Sequence, residues 1–297
     1  MGQKAAARVR SAQRTIPELS LPFPDSGYHG NPELVMALPD AIAGNEIEVH
    51  FQPVVDATTH RRVGAEALLR WRHPTDGLLA AGSFARGAEH VGLLGALGQL
   101  AIAESGRALA DWASTGRELD GFTVRVNANM QQLAASTFVD DVRRMLDGYG
   151  QAPSSLVIEI TETMALTTSA VPILATLGAL RDLGVGVELD DFGTGYASPL
   201  FLKYLPLTGI KIDGSFVAGI GRSHGDEAIV THLTRLGLDF GLTVCGEGVE
   251  DLEQSAFLRN VGITTMQGYL FGRAVPANEF GERFAPTHHL PVRKRYP

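Results

Sequence analysis

Eight short apolar runs, rich in β-branched residues, recur along the chain and are separated by longer stretches with helical spacing. They are "EVHFQPVV", "GAEALLR", "FTVRVNAN", "SLVIEITE", "VGVELDD", "GIKID", "LTVCGEG" and "TTMQGYL". Near-continuous apolar strands are those covered on both faces, and helical crossovers provide that cover. Between them, "VPILATLGALRDLG" and "EAIVTHLTRLGLDFG" carry helix-type apolar spacing, and the second ends at Gly241, a helix stop. This alternation predicts an α/β fold closed as a (β/α)8 TIM-like barrel, with an open doubly wound sheet as the alternative. The length of 297 residues suits a barrel, which takes about 250. Residues 1–30, polar and containing "LPFPDSG", are expected to be a flexible arm or linker, 31–285 the folded domain, and 286–297 a basic tail.

Polar residues recur within or at the ends of seven of these runs: Glu66, Asn127, Glu159 and Glu162, Asp190 and Asp191, Lys211 and Asp213, Glu247 and Glu250, and Gln267. A buried carboxylate must be paired or bind a metal. Glu66, Glu159, Asp190, Asp191 and Glu247 far outnumber the nearby Lys211, so the economical partners are cations. Carboxylate, amide oxygen and water are the donor set for Mg2+ or Mn2+, and the lack of Cys and His ligands argues against zinc. Two adjacent ions sharing a bridging carboxylate would suit phosphodiester cleavage. Other catalytic signatures are missing: no P-loop, no H-E-x-x-H, and no third glycine after "DDFGTGY" to complete a dinucleotide loop.

A formal net charge of −8 argues against a nucleic-acid duplex as partner. The single cysteine, Cys245, excludes an internal disulfide and reads as a buried, inert thiol, compatible with a reducing, cytoplasmic setting. The longest apolar run, "VGLLGALGQLAIA", is too short to span a membrane, and no apolar stretch follows the basic start as a signal peptide requires. Trp71 and His73 are expected to support the loop near Arg70, and Trp112 to pack in the core. Phe271 is balanced between packing and a base pocket, and His288-His289 is too short a tract for a metal site.

Together, "FQPVVD", "EALLRWRHP", "VNANMQQL", "EITE", "DDFGTGYASPL", "IKIDGSF", "GEGVE" and "QGYLFGR" resemble, in order, the EAL family of cyclic di-GMP phosphodiesterases, whose name is spelled by Glu66-Ala67-Leu68. The resemblance covers about residues 32–285 and implies a barrel whose first strand runs antiparallel to the rest. It implies that Glu66, Asn127, Glu159 and Asp190 hold a first Mg2+ or Mn2+ ion, and that Asp190 bridges to a second completed by Asp191 and Glu247. It assigns Lys211 to the attacking water, Gln267 to positioning the water or metal shell, and Arg70 to a phosphate. Gln52 and Glu250 fall to substrate, and Glu162 to anchoring the "DDFGTG" loop. The implied activity is hydrolysis of cyclic di-GMP to linear pGpG, in a homodimer. A catalytically silent cyclic di-GMP receptor acting through a protein partner is the alternative.

Some residues depart from the family pattern. Gly246, Asn129 and Ala274 replace its usual alanine, serine and proline, and none of them removes a ligand. Arg125 and Glu188 are unusual, each two residues before a ligand position, Asn127 and Asp190. Residues two apart share a strand face, so both should point into the barrel one layer below the ligands and pair there.

Overall fold

The computed structural model describes residues 31–115, 119–162, 171–195 and 200–283. Ten strands form one sheet: β1 (Ile47–Asp56), β2 (Arg62–His73), β3 (Gly77–Ala80), β4 (Thr123–Asn127), β5 (Leu156–Thr161), β6 (Gly186–Phe192), β7 (Gly209–Ile212), β8 (Thr243–Gly246), β9 (Thr265–Gln267) and β10 (Val275–Pro276). Their order is β10-β1-β9-β8-β7-β6-β5-β4-β2-β3, and the additional β1–β2 pairing closes the eight central strands into a barrel. The strands from β2 to β9 within the barrel pair in parallel, whereas β1 is antiparallel to both of its barrel neighbours, β2 and β9. The expected fold, including the reversed first strand, is therefore the one found.

All eight predicted strands are present. The two additions, β3 and β10, lie outside the closed ring: β3 folds back on β2 from Arg70↔Ala80 to His73↔Gly77, and β10 pairs with β1 at Phe51↔Val275. Both are short, four and two residues, and neither was among the predicted runs. The β2–β3 turn needs Gly77 at φ +74°, a conformation that glycine enters without steric cost.

The helices form where the spacing predicts. Val171–Leu183 and His224–Asp239 cover the strands; Ser223 caps the second by accepting from the Asp226 N–H, and Gly241 follows it at φ +73°. The run "VGLLGALGQLAIA" enters the Leu94–Ser114 helix, whose Leu97, Ala101, Leu109 and Trp112 are buried. Trp112 donates from its indole to the Ala277 carbonyl and packs edge-on to Phe51, 5.1 Å between centroids, so its expected core role is the observed one. A second apolar cluster, Leu34, Leu38, Ile47, Trp71, Phe84 and Leu97, ties the Pro32–Ala43 helix to β1 and β2. Each fully buried Leu or Phe there stabilises by about 1.5–3 kcal/mol. Trp71 donates to Glu46 (2.9 Å) and meets His73 and Phe84 edge-on, a supporting role as expected. Among the described residues, no helix is long and apolar enough to cross a membrane. The N-terminal arm, the basic tail and His288-His289 lie outside the described residues.

Candidate active site

The parallel register sets the side chains of neighbouring strands side by side. Glu66 on β2 lies opposite Arg125 on β4, Asn127 on β4 opposite Glu159 on β5, and Lys211 on β7 opposite Cys245 on β8. The functional residues thus gather towards the C-terminal ends of the parallel strands, the end where barrel chemistry is built.

Lys211 is the hub. Its side chain is wholly buried, and its ammonium lies 2.7 Å from Glu247, 2.9 Å from Glu159, 3.1 Å from Asp190 and 3.4 Å from Glu66. These carboxylates come from β2, β5, β6 and the segment just past β8, so one cation draws four chain segments together. Gln267 on β9 donates to Glu66 (2.6 Å) and to Gln52 on β1 (3.1 Å), and Gln52 donates to the Gly272 carbonyl. Asn127 donates to Glu66 (3.1 Å) and Glu159 (3.4 Å). Turning that amide over would present its oxygen instead, as a cation ligand requires.

The adjacent aspartates converge by a bulge rather than by the strand end the sequence suggests. Leu189 pairs with Ile210 and Phe192 with Ile212, so Asp190 and Asp191 together oppose the single Lys211. Asp191 takes φ +56°, off the strand alternation, and its N–H bonds the Asp190 carboxylate (3.0 Å). Asp190, Asp191 and Glu247 each bring an oxygen within 4.8 Å of the others. In the turn that follows, the Gly193 N–H donates to Glu162 (2.9 Å). A Cβ on Gly195 would lie 2.6 Å from the other oxygen of Glu162, so the bare glycine lets the chain close on that carboxylate.

The electrostatics call for added positive charge. Burial, then repulsion from Glu66 and Asp190, holds Glu159 well above the usual carboxylate range despite Lys211. Burial likewise raises Asp190, and raises Glu247 to about 8, against the pull of Lys211. Asp191 rises to about 6 through burial and the charges of Asp190 and Asp213. Glu66 alone moves down: burial opposes this, but Lys211 and the bonds from Gln267 and Asn127 outweigh it. One buried oxygen, Oε1 of Gln267, has no hydrogen-bond partner, and Oε1 of Glu159 is held by the Lys211 ammonium 2.9 Å away. A buried amide oxygen without a partner, in a carboxylate-rich and imidazole-free cluster, fits a hard divalent cation.

Around the mouth, Arg70 is half-buried and, among the described residues, donates to its neighbour's Leu69 carbonyl (2.8 Å), leaving most of its fork available. Tyr269 is 54% exposed with the Arg273 guanidinium 3.8 Å from its ring centroid, an exposed aromatic–cation pair that the motif pattern did not single out. Glu250 is exposed; its N–H bonds Gln254, and its carboxylate is not among those gathered on Lys211. Phe271 is buried and meets His60 edge-on at 5.5 Å, a packing contact. Cys245 is buried, and burial pushes its thiol up to about 12, as expected of an inert residue. Asp213 was only one polar residue among many in the sequence. Here it caps the Gly214–Ala218 helix through the Ser215 N–H (2.9 Å) while its charge bears on Asp191; its place just past the end of β7, two residues after Lys211, is the signal that could have found it.

A TIM-like barrel with one reversed strand and a mouth lined by carboxylates that could hold a metal ion defines the class to which this molecule belongs. Within that class, the profile of the EAL domain matches residues 35–274, and the chain belongs to the EAL domain family. It is 37% identical to the bifunctional diguanylate cyclase/cyclic di-GMP phosphodiesterase MucR of Pseudomonas aeruginosa over 247 residues, 83% of this chain and 36% of MucR. It is also 37% identical to the cyclic di-GMP phosphodiesterase NbdA of that organism over 242 residues, 80% of this chain and 30% of NbdA. The solved MucR phosphodiesterase in complex with c-di-GMP aligns with a TM-score of 0.79 and 37% identity, over 84% of this chain and 99% of that one. The chain spans about a third of the length of these curated relatives.

Proposed function

We propose that this domain is a cyclic di-GMP phosphodiesterase that opens the cyclic dinucleotide to linear pGpG. The observation that carries the reading is the gathering of Glu66, Glu159, Asp190 and Glu247 on one buried lysine, beside Asp191 and the unpartnered amide oxygen of Gln267. The family and the printed names of MucR and NbdA supply the substrate class.

Glu66, Asn127, Glu159 and Asp190 would hold one Mg2+ or Mn2+, and Asp190, Asp191 and Glu247 a second; such ions supply the charge that makes water nucleophilic at neutral pH. The chain's own groups do the positioning. Arg70 grips a non-bridging phosphate oxygen with its planar fork. Gln52 and Gln267, bonded to each other, hold the side of the site next to β1. Lys211 keeps four carboxylates facing one point and offers its ammonium to the attacking oxygen. Attack forms a new P–O bond and breaks the P–O3′ bond, and the 3′ oxygen leaves with a proton. Glu162 anchors the turn that carries Asp191 into place. Glu250, exposed and outside the cluster, is assigned to substrate rather than to metal.

The test is a turnover assay with cyclic di-GMP and Mn2+ or Mg2+, followed by product chromatography. Linear dinucleotide should form, stop on chelation, and be lost in Glu66→Ala. Tight binding without product at high enzyme concentration would instead identify a receptor.

A further inference from the structure

Beneath the carboxylate cluster lies a second charged layer that the proposed chemistry does not use. Arg125 on β4 and Glu188 on β6 are 5% and 4% exposed and meet in a two-pronged bond, Nε to Oε2 at 2.9 Å and Nη2 to Oε1 at 3.2 Å. Nη1 of Arg125 donates to Thr123 (2.9 Å), so the guanidinium is held on three sides. The pair expected from the sequence therefore exists.

Its surroundings are shaped for it. A Cβ on Gly64 of β2 would stand 2.7 Å from Arg125 Nη1, and one on Gly209 of β7 would stand 3.1 Å from Glu188 Cγ. Side chains are thus absent on the strands flanking both partners. The register ties the pair to the cluster above. Arg125 lies directly opposite Glu66 and Glu188 directly opposite Glu159, while Asn127 and Asp190 follow two residues on. Two residues along a strand advance roughly 7 Å, so each partner is within strong electrostatic reach of the ligand layer in a water-poor interior. Glu188 alone would add a sixth carboxylate to a group already crowded with them.

We propose that Glu188, by pairing with Arg125, keeps the layer below the cation site electrically neutral and so prevents the buried guanidinium from weakening the site's hold on divalent cations. The inference rests on the reading of the cluster as a cation site. Neutrality, rather than shape, is what the layer contributes. Removing Glu188's charge leaves an unmatched cation under the site and repels incoming Mn2+. Removing Arg125's charge leaves an unmatched carboxylate and does not. Removing both restores balance.

The experiment is calorimetric titration of cation-stripped full chain with Mn2+, in parallel with thermal melting to verify folding. Glu188→Gln should weaken Mn2+ binding about tenfold or more, the scale on which groups behind a metal ligand act. Arg125→Met/Glu188→Leu should fold, since apolar replacement of a buried pair is tolerated, and should bind within about threefold of wild type. Arg125→Gln, if folded, should bind no more weakly than wild type; if it fails to fold, the other two variants still decide. Equal weakening in Glu188→Gln and the double variant would mean that the pair acts by shape, and unchanged affinity in Glu188→Gln would mean that it does not act on the site; either overturns the inference. A wild-type chain that melts cooperatively yet binds no Mn2+ would overturn the reading of the cluster itself, and the inference with it.

Discussion

Lys211 shows how one residue takes its meaning from its neighbours. Alone, a buried lysine is destabilising; here, with four carboxylates within 3.4 Å, it is the group that lets them share a small volume. Lys211→Met should therefore leave the cation-free protein less stable by about 3–5 kcal/mol at neutral pH, because the four carboxylates lose the ammonium they share. Urea denaturation in chelator measures this, and unchanged stability would show that the carboxylates are already protonated. In the sequence the five acids and the lysine stood out as too many charges for an apolar strand set. That argued for cations, but not for the lysine at their centre. Spacing along a chain does not say which of several distant charges will meet.

At the scale of the element, β6 carries the most consequence. Its bulge aims two consecutive aspartates at one side of the barrel, and the turn after it closes on Glu162. Gly193 adopts φ +103°, and a Cβ there would also lie 2.8 Å from Leu233 Cδ1. Gly193→Ala should cost about 1–3 kcal/mol, from backbone strain and overpacking together. A thermal melt beside wild type checks it, and an unshifted transition would mean that the turn re-forms freely. The strand itself was plain from "VGVELDD", whereas the bulge was not. A bulge arises when two paired strands differ by one residue in register, and a single strand's pattern does not contain its partner's.

For the whole molecule, the cluster makes folding and cation binding a linked pair. The unfolded chain has no preformed site, so a ligand of the folded state stabilises it by mass action. Mn2+ at about a hundred times its dissociation constant should add about 2.7 kcal/mol. The melting temperature should rise with Mn2+ and fall back on chelation. A melting temperature indifferent to both would show that the folded protein does not bind the ion.

The amino-acid sequence by itself determined the strand–helix alternation, the identity of the acidic and amide residues at the strand ends, and, through the order of its motifs, the family and the reversed first strand. These are local or collinear properties, carried by period and by residue type. It also placed Arg125 and Glu188 on the inward face, because side chains alternate along the regular stretches of β4 and β6 that carry them. Only the tertiary structure decided that Lys211 sits among four carboxylates, that Asp191 reaches the cluster through a left-handed bulge, that Phe271 packs while Tyr269 stays exposed, and that Glu250 stands apart. The physical reason is closure. In a barrel, each side chain's neighbours are set by the stagger between strands distant in sequence, such as Lys211 with Glu66, and that stagger is fixed only when the last strand meets the first.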